Sequence, residues 1–347
     1  MVGTSHRILF ALLIAFASGS ALSSELTTHT AVQPQIVGGQ FPMMGTFVEI
    51  KVVAESDRVE ETQKTIQTAL AAMQEYVDVV STWDPRSDAS KINANAGKQP
   101  VKIDARLMRL LVHAKEISEM SGGALDITMA PLGKIWDLKA DKPLIPNEEQ
   151  IAETRNLVNY KDLILDGEKG TAFLRREGMR IDLGAIAKGA AVDVGIASLR
   201  RSGINRALIN AGGDLYAMGS KPDGPWRLGI RAPREERGKL LTFLNVENKG
   251  VATSGDYEKM VIINGKRYHH ILDPRTGRSA DRCVSVTVIA EDAETADGLA
   301  TALFVLGPED GLGLCERLPK VEALIINSSF GIFRTSNFPT TQPQASE

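Results

Sequence analysis

The chain has 347 residues, of which 43% are hydrophobic and 24% are charged, a balance typical of a folded globular protein. Its net charge is −3 at pH 7 and only 5% of its residues are aromatic. General nucleic-acid binding is therefore not indicated, because it needs a basic excess or an aromatic stacking platform.

The N-terminus has the pattern of a secretory signal peptide. His6 and Arg7 precede an apolar run at 8–17, and small residues follow. The run is shorter than the ~20 apolar residues that a membrane-spanning helix needs, so we expect cleavage near Ser24. An uncleaved anchor or a buried helix is the alternative. The segment 1–23 is thus predicted to be a signal peptide, without a cysteine at its exit for lipid attachment.

The first half of the mature chain is predicted to be mainly helical. The segment 24–40 reads as an irregular lead, 47–53 as a strand and the polar stretch 81–97 as a loop. Apolar residues at helical spacing predict three helices: 58–80, 107–122 and 182–202.

Strand signals dominate the later part of the chain. Asn264-Gly265, between runs at 259–263 and 266–270, is a strong signal for a two-residue hairpin. Further strands are predicted at 207–209, 226–230, 241–246, 284–290 and 321–326, with a helix at 293–305 and a loose tail at 339–347. Strands and helices mix without strict alternation, which favours an α+β fold with one integrated domain over 41–338.

Several segments carry residues suited to chemistry. Asp182 opens a helix in which Lys188 lies one turn further on, so this start suits an anionic ligand or is ordinary helix capping. Gly122 to Leu132 contains Asp126, and it suits a ring or ribose pocket or a simple turn. The glycine-rich run 210–214 follows a strand but fits neither a P-loop nor a dinucleotide fingerprint, so it reads as a tight turn.

Two further segments carry a candidate base and a candidate metal site. His269 and His270 alternate across a strand, so at most one faces a given site, and Asp273 follows in a segment that is also good turn chemistry. Asp297 and Thr301 are four residues apart on a predicted helix and share a face. Two oxygen ligands on one face suit magnesium, although an ordinary surface Asp and Thr is the alternative.

Taken in order, these segments resemble the ApbE-type FAD:protein FMN transferases. The resemblance covers roughly 44–333. The matching stretches are 44–46, 81–84, 90–93, 121–128, 131–132, 182–189, 210–214, 253–255, 270–277 and 296–301.

The resemblance implies a T-fold-related unit with mixed or antiparallel sheets, and a chain that binds FAD and Mg²⁺. FAD contacts are implied for Met44, Trp83, Ala124, Leu125, Asp126, Asp182, Lys188 and Leu272. The implied metal ligands are Asp297, the Thr301 hydroxyl and the Ala185 carbonyl. We expect His270 to act as the base, with Asp273 holding the turn or assisting.

The resemblance also implies a periplasmic or exported enzyme that links FMN to a Thr or Ser of a membrane redox subunit and releases AMP. Subunits of sodium-pumping quinone reductase (Nqr), of the Rnf complex and of the nitrous oxide reduction regulator (NosR) are the acceptor types it suggests. The alternatives are an FAD pyrophosphatase that releases FMN and AMP, and a non-catalytic exported flavin-binding protein. Cys283 and Cys315 are either a disulfide or two small buried side chains.

Overall fold

The computed structural model describes residues 33–138, 143, 145–236 and 238–339. The predicted signal peptide, the lead as far as residue 32 and the tail from residue 340 lie outside the described residues. In the part that is described, no helix is both long enough and apolar enough to span a bilayer.

Eight helices and seventeen strands are assigned in the described residues. The helices are α1 (Val59–Val80), α2 (Asp88–Ala94), α3 (Ala105–Met120), α4 (Ala130–Ile135), α5 (Glu148–Arg155), α6 (Ala187–Arg201), α7 (Ala293–Leu306) and α8 (Pro308–Cys315). The strands are β1 (Pro34–Met43), β2 (Thr46–Glu55), β3 (Val101–Lys102), β4 (Leu163–Asp166), β5 (Thr171–Leu174), β6 (Ala207–Ala211), β7 (Asp214–Met218), β8 (Trp226–Arg231), β9 (Leu240–Val246), β10 (Lys249–Gly255), β11 (Met260–Ile263), β12 (Lys266–His269), β13 (Leu272–Asp273), β14 (Arg278–Ser279), β15 (Cys283–Ala290), β16 (Glu322–Asn327) and β17 (Ile332–Arg334).

The fold is built on an eight-stranded sheet in the order β1-β2-β6-β7-β10-β15-β16-β17, with every neighbouring pair antiparallel. Helices α1, α6 and α7 pack next to one another on one face of this sheet, with α3 behind them. The largest apolar core lies between these helices and the sheet. The predicted α+β class is therefore confirmed, and the sheet is antiparallel.

The other face of the sheet is covered by the β8–β9 ribbon. Trp226 and Leu244 of the ribbon pack with Leu215, Val284 and Leu324 of the main sheet in a second buried cluster. Central strands are thus buried on both faces, as the wholly buried β15 shows. This double covering also buries Ser285 and Thr287, which alternate with valine along β15 and lie within hydrogen-bond distance of the Tyr257 and Thr253 hydroxyls.

Two tight turns lie side by side at one end of the sheet. Met44 and Gly45 join β1 to β2, and Gly212 and Gly213 join β6 to β7, all four with positive φ. Two-residue hairpin loops with positive φ at both positions match the strand twist, which explains the glycines here. A Cβ atom on Gly212 would lie 2.7 Å from Thr46 Oγ1, so the two turns are in contact.

The structure differs from the sequence predictions at several places. The lead predicted to be irregular contains β1, a ten-residue edge strand whose paired glycines and single buried side chain, Val37, hide the strand pattern. The loop predicted at 81–97 contains the short helix α2, capped by Ser87 and anchored by buried Ile92. Elements that were not predicted are mostly short and carry little periodicity; they include two central strands of the main sheet, and the full set is β3–β5, β7, β10, β13, β14, β17, α4, α5 and α8.

The helix predicted from Asp182 begins five residues later, at Ala187. Asp182 does not cap this helix; its Oδ1 accepts a hydrogen bond from Gly184 N–H (2.7 Å) and closes a local turn. The segment between Asp182 and Ala187 is therefore a turn that leads into α6.

The cysteines are not paired. Cys283 lies in β15 and Cys315 at the end of α8, and both are buried free thiols. Burial raises the pKa of each thiol to about 12, so both behave as small apolar side chains.

Helices α6 and α7 approach each other closely at Gly189. A Cβ atom at this position would lie 2.1 Å from the carbonyl oxygen of Ala293, which is backbone and cannot rotate away.

We expect Gly189→Ala to lower the free energy of unfolding by about 2–4 kcal/mol, because the helices must separate. Denaturant titration measures this change. Gly133→Ala in α4, where nothing lies within 4 Å of the added atom, is the matched control; equal effects at both sites would contradict the tight contact.

Asp193 joins the same two helices. From α6 its carboxylate accepts hydrogen bonds from the N–H groups of Ala293 (3.0 Å) and Glu294 (2.8 Å) at the start of α7. Burial raises its pKa to about 7 from an ordinary 3.8. The folded protein therefore holds this proton more tightly than the unfolded chain does, so the contribution of Asp193 to stability decreases as pH rises from about 4 to about 7.

We therefore expect the free energy of unfolding of the wild type, relative to Asp193→Asn, to fall by about 1–3 kcal/mol over this pH range. Urea titrations of both proteins across the range give the difference directly. A difference that stays constant, or that grows with pH, would disprove the raised pKa.

Candidate functional site

Three charged side chains meet where α6 begins. Lys188, in the first turn of α6, forms an ion pair with Asp214 Oδ2 and lies 3.8 Å, Nζ to Oδ1, from Asp297 of α7. The carboxylates are almost fully buried, with Asp214 2% and Asp297 3% exposed, whereas Lys188 is partly exposed. An anion that arrives from solvent therefore meets the lysine first.

Asp297 is held by the start of α6. Its Oδ2 accepts a hydrogen bond from Gly189 N–H (3.0 Å), and the N–H of Lys188 also bonds to this carboxylate. Burial raises the pKa of Asp297, and Lys188 and the two N–H groups oppose that increase. The helix N-terminus and the lysine supply the positive potential that a buried carboxylate needs.

The predicted cation ligands are compatible with this arrangement. Ala185 lies in the turn before α6, so its carbonyl is not an acceptor within the helix, and Gly189 N–H donates to Asp297. Thr301 lies one turn after Asp297, and its hydroxyl is 3.3 Å from Ser254 Oγ on β10. A carboxylate, a hydroxyl and a carbonyl form a set of hard oxygen donors that suits Mg²⁺ when phosphate and water complete it.

No group of three His, Cys, Asp or Glu side chains with metal-site geometry occurs in the described ranges. A site of the zinc type is thus not formed there. A divalent cation at Asp297 would depend on backbone, hydroxyl and ligand oxygens.

The Asp126 and Asp182 segments are joined side by side. Asp182 N–H donates to the carbonyl of Ile127 (2.7 Å), and Asn93 of α2 bonds both backbone groups of Ile181. Asp126 accepts hydrogen bonds from Thr128 and from Tyr160 N–H, and burial raises its pKa against the effect of these bonds. Asp126 therefore orders two loops next to the entry to α6.

The other predicted FAD contacts differ in how they can reach a ligand. Ala124, Leu125 and Leu272 are all at most 3% exposed, so their contact with a ligand would be through the backbone. Met44 lies in the β1–β2 turn, which touches Gly212 of the turn that precedes Asp214. Trp83 is 82% exposed, so a large part of its ring is accessible.

The two adjacent histidines have opposite environments. His269 is buried, donates from Nε2 to the carbonyl of Ala280 (2.7 Å) and contacts Phe304 edge-on, so its role is structural. His270 is exposed. Desolvation by the surrounding protein, then Lys259 and His269, lower its pKa, and Lys188 makes a smaller contribution in the same direction. At neutral pH His270 is therefore an uncharged base.

Asp273 holds the turn that follows. Its carboxylate accepts hydrogen bonds from the backbone N–H and the guanidinium of Arg275, all at 2.9 Å, and its carbonyl accepts from Gly277 N–H. Of the two roles that the sequence allowed for Asp273, these contacts support the first, to hold the turn.

Three residues of the site were not singled out from the sequence. Asp214 and Ser254 lie in stretches that carried the family resemblance, 210–214 and 253–255, but only the fold shows that they touch Lys188 and Thr301. Asp193 lies within the predicted helix at 182–202, and no local sequence pattern indicates that it caps α7.

Comparison with known proteins points to one family. The profile of the ApbE family matches residues 44–325. The FAD:protein FMN transferase of Vibrio cholerae is 31% identical over 86% of this chain and 90% of its own length. A protein of the same name from Klebsiella pneumoniae is 33% identical over 75% of this chain and 81% of its own.

Solved structures show the same fold. The ApbE protein of Thermotoga maritima superposes with a TM-score of 0.79 at 32% identity, covering 88% of this chain and 98% of that one. The flavin transferase ApbE of Vibrio cholerae gives 0.78 at 30% identity, covering 88% and 99%. The match of the profile over most of the chain, together with these relatives, shows that this protein belongs to the ApbE family.

Proposed function

We propose that this chain transfers the FMN moiety of FAD to a Thr or Ser hydroxyl of an acceptor protein, with Mg²⁺ as cofactor and AMP as the second product. The observation that carries the proposal is the buried Asp297 carboxylate, held at the start of α6 beside Lys188 with Thr301 on the same helix. Membership of the ApbE family, and relatives named FAD:protein FMN transferase, support the transferase reaction.

Asp297, the Thr301 hydroxyl and the Ala185 carbonyl would hold the cation. Bound there, Mg²⁺ would neutralise negative charge on a pyrophosphate. Lys188 supports the same task, because its ammonium is partly exposed and two buried carboxylates fix its position. Charge neutralisation and alignment are the main requirements of phosphoryl transfer.

The bond changes are simple. The acceptor hydroxyl oxygen forms a bond to the phosphorus of the FMN half, and the bond from that phosphorus to the bridging oxygen breaks. AMP leaves with the bridging oxygen. The hydroxyl proton must move to a base, and His270 suits this role because its lowered pKa keeps the imidazole free at neutral pH.

The loops that surround α6 suit the remainder of FAD. The adjoining Asp126 and Asp182 segments, the Met44 turn and the exposed Trp83 supply backbone groups and an aromatic surface. We include Met44, Trp83, Ala124, Leu125, Asp126, Asp182, Lys188 and Leu272 in the proposed FAD site. Periplasmic location and acceptors of the Nqr, Rnf or NosR type are also part of the proposal, on the resemblance and the signal-like N-terminus.

The proposal is tested by incubating the protein with FAD, Mg²⁺ and a candidate acceptor domain, followed by mass spectrometry of the acceptor. We expect added FMN on a Thr or Ser of the acceptor, and AMP in equal amount. FMN and AMP free in solution, with an unmodified acceptor, would instead indicate a pyrophosphatase and would overturn the proposal.

Asp297→Asn should lower the rate of FMN transfer by ~100-fold or more, because the cation would lose its charged ligand. The assay is FMN incorporation at saturating FAD over a range of Mg²⁺ concentrations. Asp223→Asn, which removes an exposed carboxylate paired with Lys221, is the control and should transfer at the wild-type rate. Transfer by Asp297→Asn at that same rate would exclude Asp297 as the cation ligand.

His270→Ala should lower the transfer rate by about 100-fold and leave FAD binding intact, because the base acts on the acceptor hydroxyl. In the wild type, the decline of kcat/KM at acid pH should lie below 6.5, since the histidine pKa is lowered. Flavin fluorescence reports binding, and FMN incorporation at several pH values reports the rate. An unchanged rate in His270→Ala would remove this residue from the mechanism.

A further inference from the structure

The cluster of Lys188, Asp214 and Asp297 carries one positive and two negative charges. One ammonium lies between two buried carboxylates, in direct contact with Asp214 and 3.8 Å from Asp297 Oδ1. A single lysine cannot neutralise both, and its position determines which carboxylate is left with uncompensated charge. In this structure that carboxylate is Asp297, whose direct partners are uncharged N–H groups at the start of α6 and whose ion pair with Lys188 is the longer of the two.

We propose that Asp214 is a positioning residue that holds the Lys188 ammonium away from Asp297, and thereby keeps Asp297 Oδ1 available to the divalent cation. The inference rests on the proposed function, in which Asp297 is the charged ligand of Mg²⁺. It assigns a role to a residue that does not itself bind the cation.

The backbone around Asp214 is suited to this role. Asp214 is the first residue of β7 and pairs with Ala211 across the two-residue turn. Gly213 N–H donates to Asn210 Oδ1 (2.9 Å), which ties the turn to β6. The carboxylate is therefore attached to a rigid hairpin, whereas the lysine side chain has four rotatable bonds and moves more easily.

Removal of the Asp214 charge would change where the lysine goes. Asp297 would be the remaining buried anion within reach, and a buried ion gains strongly from a partner of opposite charge. The ammonium would close the 3.8 Å gap and occupy the oxygen that the cation needs. Lysine and Mg²⁺ would then compete for one carboxylate.

The test is Mg²⁺ titration by calorimetry without FAD, on the full chain and four variants. Asp214→Asn should bind Mg²⁺ about 10- to 100-fold more weakly, the usual effect of losing a group that orients a metal ligand. The double variant Lys188→Met/Asp214→Asn removes both charges of this ion pair, so neither is left buried without its partner. It also removes the ammonium that would compete with Mg²⁺ for Asp297. Its Mg²⁺ affinity should therefore return to that of the wild type or exceed it.

Two results would overturn the inference: wild-type affinity in Asp214→Asn, or a double variant that binds as weakly as Asp214→Asn. The second would mean that Asp214 acts on the cation directly or by supporting the fold. Asp256→Asn is the matched control, since Asp256 is 5% exposed and pairs with Arg234 instead; it should leave Mg²⁺ affinity unchanged.

Asp297→Asn separates this inference from the proposed function. If that variant binds Mg²⁺ as the wild type does, the proposed cation site is wrong and the inference is lost with it. If Asp297→Asn loses Mg²⁺ binding while Asp214→Asn keeps it, only the role of Asp214 is refuted.

Discussion

The site depends on one buried carboxylate at the start of a helix. Asp297 lies in α7, yet its hydrogen-bond donors are the first N–H groups of α6. This contact satisfies N–H groups that a helix start leaves without partners, and it places negative charge where the helix dipole favours it. The Ala185 carbonyl lies in the turn just before α6, so the proposed backbone ligand and the capped helix start belong to one short segment.

Close packing of α6 against α7 makes that contact possible. Gly189 lets the two backbones approach to a distance that no side chain allows, and Asp193 caps α7 from α6. Each helix therefore supplies an acidic side chain to the N-terminus of the other: Asp193 to α7 and Asp297 to α6. This reciprocal capping fixes the relative position of the two helices at the site.

The antiparallel sheet positions the remaining groups. Two adjacent hairpin turns place Met44 next to the turn that carries Asp214, while β10 places Ser254 against Thr301. Rigid strands and short turns keep charged groups within a few ångströms without the entropy cost of ordering long loops. Lys188 is the partly exposed member of the group, which suits a residue that has to meet an anionic ligand.

Much of this could be predicted from the sequence, and the limits have a physical cause. The periodicity of 58–80, the Asn264-Gly265 turn and the alternation of Val with Ser or Thr at 284–290 are local properties, and the structure contains the helix, hairpin and strand that they predict. Local spacing also places Asp297 and Thr301 on one face of a helix. The alternation of side chains along a strand places His269 and His270 on opposite sides. The ordered set of motifs was sufficient to indicate the ApbE family.

Only the tertiary structure decided which of these residues meet. That Asp297 caps a helix that begins more than 100 residues earlier, that Asp214 pairs with Lys188, and that Asp193 serves α7 are contacts between segments far apart in the chain. The sequence by itself determined the residue types and the local elements, because these follow from short-range spacing. The partners of each charge followed from the packing of α6, α7 and the sheet, which no local pattern encodes.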